Sequence, residues 1–135
     1  MGLFSKAPKQ SPKVVVEGIE ITFHQDCGGW IFTYRGTEFA SFHPTLTLPA
    51  KADLDSILST LDSLKPEMRK RLQEGLGKWG DGCKLDDGES CLVNVEDFVT
   101  DKAFTASWSG GASWGDLAGD FIIKNYEIID ESWGD

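Results

Sequence analysis

The sequence predicts an α+β fold in which an antiparallel β-sheet is packed on one face by a two-helix hairpin. Two observations lead to this prediction. Apolar residues alternate in the first and last thirds of the 135-residue chain, and they recur at helical spacing in the middle. Strands and helices segregated in this way are typical of α+β domains. The predicted order is β-β(-β)-α-α-β-β-β, in a single domain of residues 14–135 that follows a flexible basic arm of residues 1–13.

The first third of the domain is predicted to form a hairpin or a meander. VVVEGIEITF (14–23) is rich in β-branched residues, and apolar and polar positions alternate in its second half. QDCGG (25–29) has the composition of a turn. WIFTYRGTEFASF (30–42) supplies the following strand, in which Gly36 marks a break or a bulge.

The middle of the chain is predicted to be helical. ADLDSILSTLDSL (52–64) carries apolar residues at helical spacing, and so does the stretch from Pro66 to Trp79. Proline disfavours helix at the residue before it and suits the first position of a new helix, so Pro66 is expected to separate two helices. The short break favours an antiparallel helical hairpin. Leu58 and Leu72 are expected to be buried between this hairpin and the sheet.

The last third is predicted to return to strands. CLVNVEDFV (91–99) and KAFTASW (102–108) follow a polar loop at 81–90. A glycine-rich connection at 109–119 then leads to DFIIKNYEIID (120–130), which is one strand or two short strands turning at Asn125.

The charge is unevenly distributed and favours a basic partner. The formal net charge is −9, and from Asp86 to the end twelve acidic residues face only Lys102 and Lys124. Such a surface repels phosphate, which argues against binding to nucleic acid or to an anionic membrane. A basic protein partner is therefore expected, although acidity can also serve only to keep an intracellular protein soluble.

Targeting and cysteine use both predict a cytoplasmic protein. No apolar run approaches the roughly 20 residues that span a bilayer, and the N-terminus lacks the apolar stretch of a signal peptide. Cys27, Cys83 and Cys91 are an odd number of cysteines without an export signal, so reduced thiols are expected.

The tripeptide Trp-Gly-Asp occurs at 79–81, 114–116 and 133–135. The unequal spacing argues against a repeat and favours three local solutions of one kind: an aromatic anchor, a flexible glycine and a polar exit. The second and third copies could instead belong to an acidic interface with tryptophan hot spots. In the alternative interpretation Trp114 only plugs the core. The candidate partner-binding residues are Trp108, Trp114, Asp116, Asp120, Asp130, Glu131 and Trp133.

Catalytic and metal chemistry have weak support in the sequence. His24, Cys27, Cys83 and Cys91 could offer one nitrogen and three sulfurs to zinc, but no Cys-x-x-Cys pair is present. Cys27 with His24 or His43 as base is a formal nucleophile–base pair whose adjacency the sequence does not show. No catalytic, cofactor-binding or metal-binding residue is therefore predicted.

The layout resembles small bacterial domains of unknown function, some of which look like immunity proteins. These domains have an N-terminal hairpin with aromatic residues, two helices, and strands around a Trp-Gly-(Asp/His) loop. The matching stretch is FTASWSGGASWGDLAGDFIIKN (104–125), preceded by the helical segment 52–79. The resemblance implies a protein that neutralises a toxin by binding it, and it supplies no catalytic residue.

These observations predict a non-enzymatic binding protein, of the immunity type or a regulatory inhibitor, whose acidic surface binds a basic protein partner. One alternative is a small hydrolase-like enzyme that uses acidic or Cys/His residues. Another is a self-associating structural or accessory protein, in which the basic residues of the second predicted helix pair with the acidic C-terminal third. Those basic residues are Lys65, Arg69, Lys70, Arg71 and Lys78.

Overall fold

The fold is one eight-stranded sheet with one long helix on a single face. The structure is a computed structural model, and it describes residues 12–43, 45–46, 48–79, 85, 89–110, 114 and 117–134. The strands are β1 Lys13–Val16, β2 Ile19–His24, β3 Gly29–Tyr34, β4 Thr37–Ser41, β5 Ser90–Asn94, β6 Ala103–Ser109, β7 Ala118–Lys124 and β8 Glu127–Gly134. The helices are α1 Lys51–Trp79 and α2 Phe98–Asp101. Within these described ranges, no helix is long and apolar enough to cross a membrane.

The strands lie in the sheet in their chain order, from β1 to β8. All neighbouring pairs are antiparallel except β4 and β5, which are parallel. The sheet is thus two four-stranded meanders joined side by side. A parallel pair requires a crossover connection, and α1 lies in the connection between β4 and β5.

Three of the hairpins close with two-residue turns at Glu17-Gly18, Arg35-Gly36 and Asn125-Tyr126. Both residues of each turn have positive φ, as in a type I′ turn, which matches the twist of the flanking strands. The predicted strands 14–23 and 30–42 are therefore each a hairpin, and Gly36 is a turn residue. At 120–130 the structure has two strands.

The predicted two-helix hairpin is wrong, because α1 continues without a break through Pro66. Proline has no N–H, so the Asp62 carbonyl lacks its usual donor four residues later. Pro66 and Asp62 are both exposed, so water can satisfy that carbonyl. The predicted strand 91–99 is also too long, since β5 ends at Asn94 and the short helix α2 begins at Phe98. The Phe98 ring packs 6.4 Å from that of Phe104.

The core lies between α1 and one face of the sheet. The stripe of α1 buries five apolar side chains against the middle strands, and Leu72 among them is fully buried while Leu58 is only partly buried. The apolar stripe continues on both sides of Pro66, which keeps the helix packed on the sheet across the proline. The core cluster contains Leu54, Ile57, Met68, Leu72 and Leu76 of the helix, and Phe32, Phe39, Val93, Ala106 and Phe121 of the sheet.

Replacing Pro66 with alanine should raise the free energy of unfolding, by up to about 3 kcal/mol, because alanine restores the missing N–H and removes the crowded ring. Urea denaturation measures the change, with the exposed neighbour Lys65→Ala as control. A lower unfolding free energy for Pro66→Ala would contradict the continuous helix, since proline is favourable only at the start of a second one.

Candidate functional site

The second and third Trp-Gly-Asp copies place their tryptophans together at one end of the core. The ring centroids of Trp114 and Trp133 are 6.5 Å apart, and Trp114 is 4% exposed. The Trp133 indole lies directly on Gly75 of α1 and over Gly119 of β7, where an added Cβ would approach it to 3.1 Å. A side chain at position 75 would overlap the indole, and one at position 119 would crowd it.

Trp108 and Trp79 have different surroundings from Trp114 and Trp133. Trp108 is 7% exposed and points to the helix-covered face of β6. Trp79 of the first copy is 61% exposed at the last residue of α1. A partner at the surface would therefore not reach Trp108 or Trp114, and Asp116 lies outside the described residues.

The candidate acidic residues separate onto two faces of the sheet. Asp120 of β7 and Asp130 of β8 face away from α1 and are diagonal neighbours in the β7–β8 register. Glu131 points to the helix side, where its carboxylate accepts a hydrogen bond from Trp133 Nε1 at 2.9 Å. Glu131 also lies 3.6 Å from the Arg71 guanidinium of α1. Glu131 thus links Trp133 of β8 to Arg71 of α1.

The face turned away from α1 is called the open face. No helix or strand of the described chain packs on it. Its middle row carries Ile31, Ala40, Asn94, Thr105, Ile122 and Asp130, and the next row carries Glu20, Thr33, Glu38, Leu92, Ser107 and Asp120. In the row that begins at Glu20, carboxylates are interspersed with hydroxyl side chains and Leu92, whereas the middle row is mostly apolar or neutral, and Ala40 within it is fully buried.

Three carboxylates of the open face have no positive partner. Lys13 lies 3.6 Å from Glu20 and balances it. Glu38, Asp120 and Asp130 have no lysine or arginine nitrogen within 4 Å in the described part of the chain. Their fields therefore add across the face.

A groove of about 740 Å³ is lined by residues of β3 to β7. Glu38, Leu92 and Ser107 of the open face line it, and so do Cys91 and Trp108 of the other face. Glu38 is not found when acidic residues are counted by segment, because it lies outside the acidic C-terminal third. The alternation Thr37-Glu38-Phe39 in β4, with Phe39 fully buried, was the signal that Glu38 points outward.

The cysteine and histidine residues do not form one site. His24 and Cys27 lie at the β2–β3 turn, at the end of the sheet opposite Cys91 of β5, and Cys83 lies outside the described residues. The Cys27 thiol donates to the His24 backbone carbonyl at 3.7 Å. No group of three potential ligands among the described residues could hold a metal ion.

Cys91 faces a cavity of about 250 Å³ between α1 and the sheet, together with Lys65 and Trp108. Burial raises the pKa of the Cys91 thiol to about 12, although the positive charge of Lys65 opposes the shift. The thiol is therefore protonated at neutral pH and is a poor nucleophile.

Comparisons with models of protein families, with curated proteins and with solved structures find no match to this chain.

The Trp133 contact predicts opposite effects for two glycines of the same helix. Gly77→Ala should stabilise the protein by about 0.5–1 kcal/mol, because nothing lies within 4 Å of the added Cβ and alanine favours helix. Gly75→Ala should destabilise it by about 1–3 kcal/mol, because the methyl group would overlap the Trp133 indole. Chemical denaturation of both variants measures this, and equal stabilisation by both would remove Trp133 from its assigned place.

The thiols should differ in reactivity. With a pKa of about 12, only on the order of one Cys91 in ten thousand is a thiolate at pH 8, whereas Cys27 is exposed. Iodoacetamide at pH 8, read by mass spectrometry of peptides, should label Cys27 in the native protein and Cys91 only after unfolding in urea. Equal labelling of both in the native state would show that Cys91 is not buried.

Proposed function

We propose that this chain is a non-enzymatic binding protein whose open face docks a basic protein partner and masks it, as a regulatory or immunity-type inhibitor does. The observation that supports this most is the eight-stranded sheet with a helix on one face only. It leaves a broad face on which Glu38, Asp120 and Asp130 have no cation partner among the residues that the structure describes.

The open face offers apolar contact area beside polar groups. Ile31, Leu92 and Ile122 are partly exposed among serine and threonine side chains. Specific interfaces combine apolar contact area with polar groups in this way and differ from other surfaces mainly in charge and complementarity. Carboxylates on such a face speed encounter with a basic partner and exclude acidic ones.

The two alternative functions have less support. An enzyme needs an activated nucleophile or acid–base pair, and Cys91 is protonated while Cys27 hydrogen-bonds only a backbone carbonyl in the described contacts. Self-association through the basic residues of α1 is weakened by their internal pairing. Arg69 pairs with the buried carboxylate of Glu89, and Arg71 bonds Glu67 at 2.8 Å.

A charge-matched pair of variants tests the proposal. One variant carries Glu38→Gln, Asp120→Asn and Asp130→Asn on the open face. The control carries Asp62→Asn, Glu74→Gln and Asp101→Asn, three exposed carboxylates of the two helices. Both have the same net charge, so general attraction to cations is equal.

Cross-linking of each protein in lysate of the source cells first recovers a basic protein with the wild type. The association kinetics of that protein with the wild type and with each variant are then compared. The open-face variant should associate about tenfold more slowly at low salt and with a flatter salt dependence, while the control should match the wild type. Thermal melts should be similar, because solvated charges contribute little to stability. Equal slowing in both variants, or in neither, would contradict docking on the open face.

A further inference from the structure

A second cavity lies on the helix-covered side of the sheet, beside the β7–β8 turn, and has a volume of about 220 Å³. Its walls come from four parts of the chain: the first turns of α1, helix α2, the start of β6 and the turn itself. Ile57, Phe98 and Phe104 give it an apolar side, and the two rings lie 6.4 Å apart. Its size suits a molecule smaller than those that fill the roughly 300–1,000 Å³ of drug-sized pockets.

Two opposite charges line this cavity without neutralising each other. Asp53 of α1 and Lys102, which follows α2, both contribute to its wall. Neither has an oppositely charged atom within 4 Å among the residues that the structure describes. The Lys102 ammonium lies 5.3 Å from the centroid of the Phe98 ring, so it stands next to the apolar side.

The β7–β8 turn, which forms one wall of the cavity, departs from the glycine pattern of the other two type I′ turns. The turns Glu17-Gly18 and Arg35-Gly36 have glycine at their second position, where φ is +83° and +81°. The β7–β8 turn has Tyr126 there, with φ of +66°, a conformation that costs energy for a bulky residue. Burial does not repay this cost, because Tyr126 is 71% exposed.

Tyr126 does place an aromatic ring at the mouth of the cavity. Lys102 also lines the cavity, and its left-handed backbone ends α2 as a C-cap, with its N–H donating to the Phe98 carbonyl. Tyr126 has no such local explanation, and strained backbone beside a cavity is characteristic of ligand-binding positions.

We propose that this cavity binds a small zwitterion with an apolar body, of the class of the free hydrophobic α-amino acids. The Lys102 ammonium pairs with the ligand carboxylate, and the Asp53 carboxylate pairs with the ligand ammonium. The ligand side chain packs on Phe98 and Phe104 under the ring of Tyr126. This site is independent of the open face, which lies on the other side of the sheet.

Three ligands with one hydrocarbon body test the charge pairing by isothermal titration calorimetry: L-phenylalanine, phenethylamine and 3-phenylpropanoate. The wild type should bind phenylalanine. Each analogue should bind at least about tenfold more weakly, because each loses one charge-assisted contact. Failure of phenylalanine to bind, or equal binding of all three, would overturn the proposal.

Variants then assign the two charges. Lys102→Asn keeps a residue that accepts left-handed backbone, and it should weaken phenylalanine and 3-phenylpropanoate while leaving phenethylamine unchanged. Asp53→Asn should do the reverse, weakening phenylalanine and phenethylamine only. Uniform weakening of all three ligands by either variant would contradict its assigned contact.

Tyr126→Gly separates binding from folding. It should raise the midpoint of urea denaturation, because glycine suits the turn, and it should weaken phenylalanine binding at least fivefold, a loss on the scale of one aromatic contact. Tyr126→Phe should bind as the wild type does, and so should Val99→Ala, an exposed change on α2 outside the cavity. Unchanged phenylalanine binding in Tyr126→Gly would remove Tyr126 from the site.

Discussion

The parallel pairing of β4 with β5 is the constraint on which the rest of the structure depends. Every other neighbouring pair is antiparallel and can be joined at one end of the sheet, whereas a parallel pair needs a connection that returns along its whole length. The chain makes this return with α1. Near its start, Asp55 accepts a hydrogen bond from the Tyr34 hydroxyl of β3 at 2.8 Å. Near its end, Gly75 lies against the Trp133 indole of β8. One crossover gives one covering helix, and the open face is a direct consequence.

The sequence predicted where strands and helix occur better than where they end. Alternation located all five strand regions. The turn at Glu17-Gly18 was missed because strand character resumes at once on either side. Gly36 was expected only to break or bulge a strand, and a turn at Asn125 was one of two alternatives. For α1, the local rule for Pro66 was preferred over the apolar stripe that runs through it. That stripe advances by three or four residues from Leu61 through Leu64, Met68 and Leu72, which is the signal of one continuous helix.

The candidate site was predicted only in part, for a related reason. Counting charges by segment identified Asp120 and Asp130 but also selected Glu131, which the pleat of β8 turns toward Arg71 and Trp133. No sequence pattern shows that Gly75 and Gly119, which are distant in the chain, leave room for the same indole. Such contacts depend on the crossing of helix and sheet, which periodicity does not determine.

The open face and the cavity each hold features that the fold itself does not require. Glu38, Asp120 and Asp130 lie on one side of the sheet with no lysine or arginine nitrogen within 4 Å among the described residues, in a chain that is already strongly negative. Tyr126 has a left-handed backbone at the second turn position, where the other two type I′ turns of the described chain have glycine. Much of the described fold follows the rules that stabilise it, with alternating strands and a continuous apolar stripe, although Pro66 interrupts the hydrogen bonds of α1. Departures that folding does not explain mark where binding is proposed, and the open face and the cavity lie on opposite faces of one sheet.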